Sequence, residues 1–219
     1  MRTRKLERKC SFRLPVCDAK NGIDLSRWKQ FLRNDDDRRE WQNPEAILKE
    51  ISLKKGFTFI DLGCGGGFFS IPAAIVVGTE GKVYALDADA EAIEVTKEKA
   101  SAKGLQNLEF RVGRAEDEIL CNNCADMIFL GNVLHDFENP SQVLINSKKM
   151  LKQGGRLIDL DWKAESMKLG PPLEIRFSTH KASELIKAAG FEIVEMRESR
   201  HFHYIIEART RQSHLPNPE

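Results

Sequence analysis

One stretch, residues 57–70, constrains the fold of this chain more than any other. It reads Phe-Thr-Phe-Ile-Asp-Leu-Gly-Cys-Gly-Gly-Gly-Phe-Phe-Ser, so an apolar, β-prone run ends in an acid, Asp61, and leads into a glycine-rich turn. This order predicts a buried strand, a tight turn and the start of a helix. Gly63 and Gly65 permit backbone angles that other residues avoid, and they let a ligand approach the main chain. Gly67 would let the helix pack closely against the strand.

The spacing of the glycines distinguishes between kinds of nucleotide-binding turn. A P-loop carries Lys-Ser or Lys-Thr after its last glycine, whereas Phe68 and Phe69 stand there in this chain. This difference argues against nucleotide triphosphate hydrolysis. The dinucleotide fingerprint G-x-G-x-x-G also has a different spacing from the one found here. A purely structural turn remains the alternative interpretation at this stage.

The pattern D-x-G-x-G-x-G resembles motif I of class I S-adenosylmethionine (SAM)-dependent methyltransferases. The resemblance implies SAM as the cofactor and Asp61 as the acid that holds its amino acid end. It also implies that the main chain at Gly63, Cys64, Gly65 and Gly67 lies beside the cofactor.

Strand-like and helix-like segments alternate after the glycine turn. The predicted parallel strands are 57–61, 82–86, 108–112, 126–130 and 156–160. Such alternation predicts an α/β fold with a doubly wound, mostly parallel sheet, whose ligands lie at the carboxyl ends of the strands. Two further β-like runs, 191–196 and 202–208, predict a C-terminal antiparallel hairpin and a seven-stranded sheet in total. This ending is that of the class I methyltransferase fold and argues against an NAD-dependent oxidoreductase.

The chain is predicted to divide into three parts. Residues 1–42 are an N-terminal leader or a flap that covers a ligand, and the acidic run at 34–37 is expected to be a solvated turn. Residues 43–209 form the SAM-dependent methyltransferase domain. Residues 210–219, which include two prolines, are expected to be a disordered tail.

Two further segments are candidates for contact with the adenosine part of SAM. Asp87 ends the second predicted strand, where a carboxylate can accept both ribose hydroxyls, although a surface acid that opens a helix is the alternative. Ala88 would pack on the adenine. The loop at 113–117 resembles the family's G-D-A-E motif, with Arg114 where an acid is common. Ala115 would lie beside the adenine with Glu116 as the nearest acid, and Arg114 would either stack on the base or point to solvent.

The segment after the fourth predicted strand resembles that of the ubiquinone/menaquinone-biosynthesis C-methyltransferases (methyltransferase type 11). In that group it borders both SAM and substrate, which implies a cofactor contact for Asn132 and Val133. His135 is a candidate general base because its pKa lies near working pH, or else it only shapes the pocket. Asp161, at the end of the fifth strand, is the second catalytic candidate. Trp162 beside it is either a substrate platform or a core aromatic.

Composition narrows the partners and the compartment. The chain has 34 basic and 33 acidic residues, so no overall charge favours nucleic acid or a membrane surface. No apolar run reaches the roughly eighteen residues of a membrane span. Five cysteines, an odd number, suit a reducing cytoplasm better than a disulfide framework.

The lone C-x-x-C at Cys121 and Cys124 has three interpretations. An incidental loop pair is favoured, because a zinc ribbon needs a second such pair and a redox dithiol favours a helix N-terminus. The third interpretation is an arsenic-binding trio with Cys17, as in arsenite methyltransferases. No metal site is predicted.

The predicted function is transfer of a methyl group from SAM to a small-molecule acceptor. Two alternatives remain: a SAM-binding regulatory module without transfer activity, and an NAD-dependent oxidoreductase. The sequence leaves the acceptor and the oligomeric state open.

Overall fold

The structure is a computed structural model that describes residues 35–167 and 169–210. Most of the predicted leader or flap, residues 1–34 with Cys17, and the tail beyond residue 210 lie outside the described residues. The helices are α1 (Asp35–Trp41), α2 (Pro44–Glu50), α3 (Ser70–Val77), α4 (Ala90–Ala102), α5 (Pro140–Met150) and α6 (Thr179–Ala188). The strands are β1 (Thr58–Leu62), β2 (Lys82–Asp87), β3 (Leu108–Val112), β4 (Ala125–Gly131), β5 (Leu151–Trp162), β6 (Phe191–Ser199) and β7 (His203–Thr210). Short 3₁₀ turns lie at Leu134–Asp136 and Leu173–Ile175.

The strands form one seven-stranded sheet in the order β3-β2-β1-β4-β5-β7-β6. β1 pairs in parallel with β2 and β4, and the outer pairs β2–β3 and β4–β5 are parallel as well. β7 runs antiparallel to both β5 and β6. The predicted fold class, a mostly parallel sheet closed by an antiparallel hairpin, is therefore confirmed.

Helices cover both faces of the sheet. One apolar cluster joins Leu144 of α5 and Ile186 of α6 to Ile128 of the sheet. The other joins Leu48 of α2 and Val77 of α3 to the opposite face. Both faces of the central strands are thus buried, which explains why β1 and β4 read as continuous apolar runs rather than as alternating ones.

Local capping residues set where several helices begin. Asn43 caps α2 because its side chain accepts a hydrogen bond from the amide of Ala46 at 2.8 Å, and Pro44 occupies the first helical position. Ser178 caps α6 in the same way through the amide of Lys181. No helix among the described residues combines the length and apolar character that a membrane crossing requires.

Two elements differ from the sequence-based predictions. The acidic run, expected as a solvated turn, is helical from Asp35 onward because contacts from distant parts of the chain hold α1 in place. One of them is an ion pair of 2.5 Å between Asp35 and Lys99 of α4. β5 begins at Leu151 rather than at residue 156, because Leu151 pairs with Ala125 across an irregularity in register. Gly154 within it has a φ of 77°, a left-handed angle that glycine adopts readily.

Candidate active site

A cleft of about 730 Å³ lies at the carboxyl ends of β1, β2 and β4. The direction in which successive strands are added to the sheet reverses at β1: β2 and β3 lie on one side of it, and β4 and β5 lie on the other. Ligands of open α/β sheets bind at such switch points. The candidate cofactor residues that line the cleft are Asp61, Gly63, Cys64, Gly65, Asp87, Ala88, Arg114, Ala115, Glu116, Asn132 and Val133.

The glycine turn forms the floor of the cleft. Gly63 and Gly65 both have left-handed φ values, 73° and 53°. A Cβ on Gly63 would lie 2.5 Å from Cγ2 of Val133, so no side chain fits there, whereas the space beside Gly65 is open. Gly67 does not line the cleft. A Cβ there would lie 2.7 Å from Cγ2 of Thr96, so this glycine lets α4 pack against the turn.

Asp61 is a buried carboxylate at the end of β1, with a relative exposure of 2%. The hydroxyl of Ser70 donates to its Oδ2 at 2.5 Å. Burial raises the pKa of Asp61 to about 7, and the charge of Asp87 adds to the rise, while the hydrogen bond from Ser70 and the charge of Arg38 oppose it. Burial also raises the pKa of the neighbouring Cys64 thiol well above its usual range, which favours the protonated thiol over the reactive thiolate.

Asp87 connects the end of β2 to the glycine turn. Its Oδ2 accepts from the amide of Gly65 at 2.7 Å, and its Oδ1 accepts from the amide of Asp89 at 2.9 Å. An ionised carboxylate has about four acceptor sites, so both oxygens can accept further hydrogen bonds from a ligand. Ala88, next to it, is part of the cleft wall.

The loop after β3 forms the rim of the cleft. Arg114, about half exposed, donates to Glu138 at 2.9 Å. Glu116 accepts from the amides of Glu138 and Asn139 at 3.1 and 3.3 Å, so its carboxylate holds the start of α5. Ala115 is buried between these two residues and presents a small apolar surface to the cleft.

Asn132 lies on the opposite wall, directly after β4. Its φ of 62° is left-handed, an angle that asparagine tolerates better than most residues. Its amide nitrogen Nδ2 donates to Oε1 of Gln42 at 3.0 Å. Its buried Oδ1 has no hydrogen-bond partner among the described residues, so it can accept one from a ligand.

His135 and Asp161 contact each other behind this wall. Nδ1 of His135 lies 2.8 Å from Oδ1 and 2.9 Å from Oδ2 of Asp161, and both side chains are almost completely buried. Burial lowers the pKa of His135, but the charge and hydrogen bonding of Asp161 outweigh it, so the net pKa is raised. Neither side chain is among the groups that line the cleft.

Trp162 is a core aromatic rather than an exposed platform, because its relative exposure is 1%. Its ring centroid lies 5.3 Å from that of Trp41 in α1 and 4.2 Å from that of His203 in β7. Of the two interpretations offered by the sequence, the structure therefore supports the core.

The structure adds residues from α1 that sequence reasoning missed. Asp35 and Arg38 line the cleft, and Gln42 accepts from Nε of Arg38 at 2.8 Å as well as from Asn132. The four-residue spacing of Arg38 and Gln42, which places both side chains on one face of a helix, could have indicated these residues in the sequence. It was obscured because the acidic residues in front of it were interpreted as a turn.

The cysteine pair after β3 is oxidised in the structure. Cys121 and Cys124 form a disulfide, which differs from the reduced thiols expected from the cysteine count. Neither residue lines the cleft, and the third cysteine of the arsenic-binding hypothesis, Cys17, lies outside the described residues.

Comparison with known proteins identifies the fold and family. Residues 53–208 match the family described as "Methyltransferase domain". The crystal structure of a SAM-dependent methyltransferase from Aquifex aeolicus is 32% identical, with a TM-score of 0.78, over 85% of this chain and 98% of that one.

Two curated relatives match about half of the chain. The Sulfurisphaera tokodaii protein named "Probable cobalt-precorrin-6B C(15)-methyltransferase (decarboxylating)" is 35% identical over 112 residues, which are 51% of this chain and 56% of that protein. The demethylmenaquinone methyltransferase of Geobacillus stearothermophilus is 29% identical over 124 residues, 57% and 53% of the two chains. The chain thus spans little more than half the length of these relatives.

These matches confirm the family and the cofactor predicted from motif I, and they agree with the resemblance to the menaquinone-pathway enzymes. The cleft fits SAM, since it combines a side-chain-free turn with a carboxylate at the end of each flanking strand. The chain belongs to the class I SAM-dependent methyltransferases.

Proposed function

We propose that this protein transfers the methyl group of SAM to a small-molecule acceptor in the cleft. The observation that carries the proposal is the arrangement of Asp61, the glycine turn and Asp87 around one cavity at the sheet's switch point. The names of the two curated relatives refer to methylation of cobalt-precorrin-6B and of a demethylmenaquinone, which supports a small-molecule acceptor here. A cytoplasmic location and the lack of a nucleic-acid partner stay predictions.

Each part of the cleft wall has a proposed role in holding the cofactor. Asp61 holds the amino acid end, and Gly63 and Gly65 admit it against the main chain because they carry no side chain. Asp87 accepts the ribose hydroxyls through its free acceptor sites. The small apolar side chains of Ala88 and Ala115 flank the adenine.

The remaining cofactor candidates act at the edges of the cleft. Arg114 closes its rim through the pair with Glu138, and Glu116 fixes that rim by capping the amides in front of α5. Asn132 and Val133 form the wall between cofactor and acceptor. The unpaired Oδ1 of Asn132 is available to a donor group on either molecule.

The chemistry needs little covalent assistance from the protein. Bound SAM supplies a methyl group that is already electrophilic, so the chain mainly contributes proximity and alignment. The aromatic rings of Phe69 and Phe137 add apolar surface to the cleft wall. A general base is needed only for an acceptor that must lose a proton.

We infer that His135 and Asp161 are positioning residues rather than groups that touch the reacting atoms. Their side chains are buried against each other and lie behind the cleft wall. The pair fixes the segment that follows β4, which carries Asn132, Val133 and Asp136 into the cleft. The alternative, His135 as general base, requires the cleft wall to open.

Calorimetric titration with S-adenosylhomocysteine, the product of methyl transfer, tests the proposed function, with NADH as the comparison ligand. The wild-type chain should bind S-adenosylhomocysteine and not NADH. Asp87→Ala removes the ribose acceptor, so it should weaken binding by about tenfold to a hundredfold. Glu94→Ala, which removes an exposed acid of α4 paired with Lys97, is the control and should bind normally. Binding of NADH alone would overturn the assignment.

Binding of the cofactor product does not by itself demonstrate catalysis. Transfer of a labelled methyl group from SAM to members of a small-molecule acceptor panel tests the second half of the proposal. A chain that binds S-adenosylhomocysteine but methylates no acceptor class would instead favour the regulatory module.

A further inference from the structure

Arg38 of α1 is a buried cation at the edge of the cleft. Its relative exposure is 9%, and its guanidinium carbon lies 3.9 Å from the centroid of the Phe68 ring. Contact with an aromatic face partly compensates a buried guanidinium, but a buried charge normally also has a hydrogen-bonded counter-ion. No carboxylate whose side chain the structure describes forms an ion pair with Arg38.

The orientation of this guanidinium is set by the protein. Nε donates to Oε1 of Gln42 at 2.8 Å, and the completely buried Gln42 is itself held by Asn132. Nε of Arg38 is occupied by Gln42, and the ring of Phe68 lies against the guanidinium. Because Arg38 lines the cleft, its two terminal nitrogens are the donors that can reach a ligand there. A guanidinium fixed in this way presents the donor pair that binds a carboxylate with two parallel hydrogen bonds.

Asp61 supplies the complementary charge in the same cleft. Burial lowers the pKa of Arg38 to about 10, and the charges of Asp35 and then Asp61 oppose that shift. Burial raises the pKa of Asp61, and the charge of Arg38 is among the effects that oppose the rise. Arg38 and Asp61 are thus close enough to influence each other, although they form no ion pair. A cation and an anion that line one cavity but do not pair with each other complement the two charges of a zwitterionic ligand. The amino acid end of SAM carries an ammonium and a carboxylate, and the proposed function places that end at Asp61.

We propose that Arg38 binds the carboxylate of the cofactor's amino acid end, opposite the ammonium at Asp61. This inference rests on the proposed function, since it takes SAM as the ligand of the cleft. It makes α1 part of the cofactor site and Arg38 a specificity residue for ligands that carry the carboxylate. Phe68 and Gln42 act through Arg38 by holding the guanidinium in place.

The test compares three ligands that differ only in the amino acid end. S-adenosylhomocysteine carries both charges, its decarboxylated analogue carries the ammonium alone, and 5′-methylthioadenosine carries neither. Arg38→Gln should weaken binding of S-adenosylhomocysteine by about tenfold or more and leave the affinity for the other two unchanged. Arg38→Lys keeps the charge but not the paired donors, so its loss should be smaller.

Arg39→Gln is the matched control, because Arg39 is the adjacent exposed arginine and pairs with Glu45. It should bind all three ligands like the wild type. Retained binding of 5′-methylthioadenosine shows that the Arg38 variants are folded. Equal losses for all three ligands, or unchanged binding of S-adenosylhomocysteine by both variants, would overturn the role of Arg38. Failure of the wild type to bind S-adenosylhomocysteine would overturn the proposed function and this inference together.

Discussion

At the scale of single residues, the burial of Asp61 has the clearest consequence for cofactor binding. Asp61 is enclosed at the end of β1, yet its proposed task is to face an ammonium group, which requires the ionised form. Burial brings the pKa of Asp61 to about 7, so the free protein holds a large fraction of this carboxyl protonated near neutral pH. Cofactor binding must then release that proton.

We therefore predict that affinity for S-adenosylhomocysteine falls as the pH drops below about 7, because a growing fraction of Asp61 must first be deprotonated. The limiting slope is about tenfold per pH unit for one proton. Calorimetry in buffers of different ionisation enthalpy measures the proton release directly. Asp61→Asn should bind weakly and without this pH dependence.

The hydrogen bond from Ser70 gives an independent check on the same residue. It favours the ionised form of Asp61, so its removal in Ser70→Ala should raise the pKa and move the midpoint of the affinity curve to higher pH. A midpoint that does not move in Ser70→Ala, or a pH dependence that persists in Asp61→Asn, would assign the effect to another group.

At the scale of elements, the segment between β4 and α5 depends on one buried pair. Neutralising Asp161 takes away the buried charge that faces Nδ1 of His135, although Asp136 lies 3.5 Å from Nε2 of the same ring. Removal of His135 leaves the buried Asp161 carboxylate without the imidazole, although it still accepts from the amide of Trp162. Each single change, His135→Ala or Asp161→Asn, should lower the free energy of unfolding by about 1–3 kcal/mol.

The double variant should cost less than the sum of the singles, because the first change has already removed the contact between His135 and Asp161 that the second would break. Urea unfolding of the wild type, the two single variants and the double variant measures the coupling free energy between His135 and Asp161. If His135 is a positioning residue, the variants should lose cofactor affinity together with turnover. A loss of turnover with affinity unchanged would instead restore His135 as a general base.

The elements also show how far the sequence could predict this structure. β1, the glycine turn and α3 follow from local chemistry: an apolar strand, glycines with left-handed φ and a helix that begins at Ser70. The β6–β7 hairpin was predictable for the same reason, since two β-like runs are joined by a short turn. Placement of Asp61 and Asp87 around one cleft then followed from the topology of parallel strands.

α1 could not be predicted in this way because its stability comes from distant residues. Asp35 pairs with Lys99, Arg38 stacks on Phe68, and Trp41 packs on Trp162. Local composition alone favours a solvated acidic turn. The burial of His135 was equally inaccessible, because its partner Asp161 lies 26 residues away at the end of another strand.

At the scale of the whole molecule, two buried groups give opposite pH dependences of stability. Asp61 has a raised pKa, so the folded state binds an extra proton between about pH 4 and 7 and gains stability as the pH falls through that window. Burial, together with the charges of Arg38, Lys163 and Arg176, lowers the pKa of His203 to about 3. Below about pH 6.5 the unfolded chain therefore binds a proton at this histidine that the folded chain does not, and stability falls.

We predict that His203→Gln changes how the free energy of unfolding depends on pH. The variant should lose packing against Trp162 at neutral pH, but its stability relative to wild type should improve by up to about 1.4 kcal/mol for each pH unit below about 6.5. Urea unfolding at several pH values gives the comparison. His180→Gln, at an exposed position of α6, is the control and should follow the wild-type profile. Parallel profiles for wild type and His203→Gln would contradict the prediction.

The side chain of Gln42 connects three distant parts of the chain. Its Oε1 accepts from Arg38 and Asn132, and its Nε2 lies 3.4 Å from Nε2 of His203 in β7. A chimera that takes residues 1–42 from a relative would replace this amide, while Asn132 and His203, its two partners outside α1, would stay as they are. Attempts to alter acceptor preference by exchanging the N-terminal segment should therefore transfer positions 42, 132 and 203 as one set.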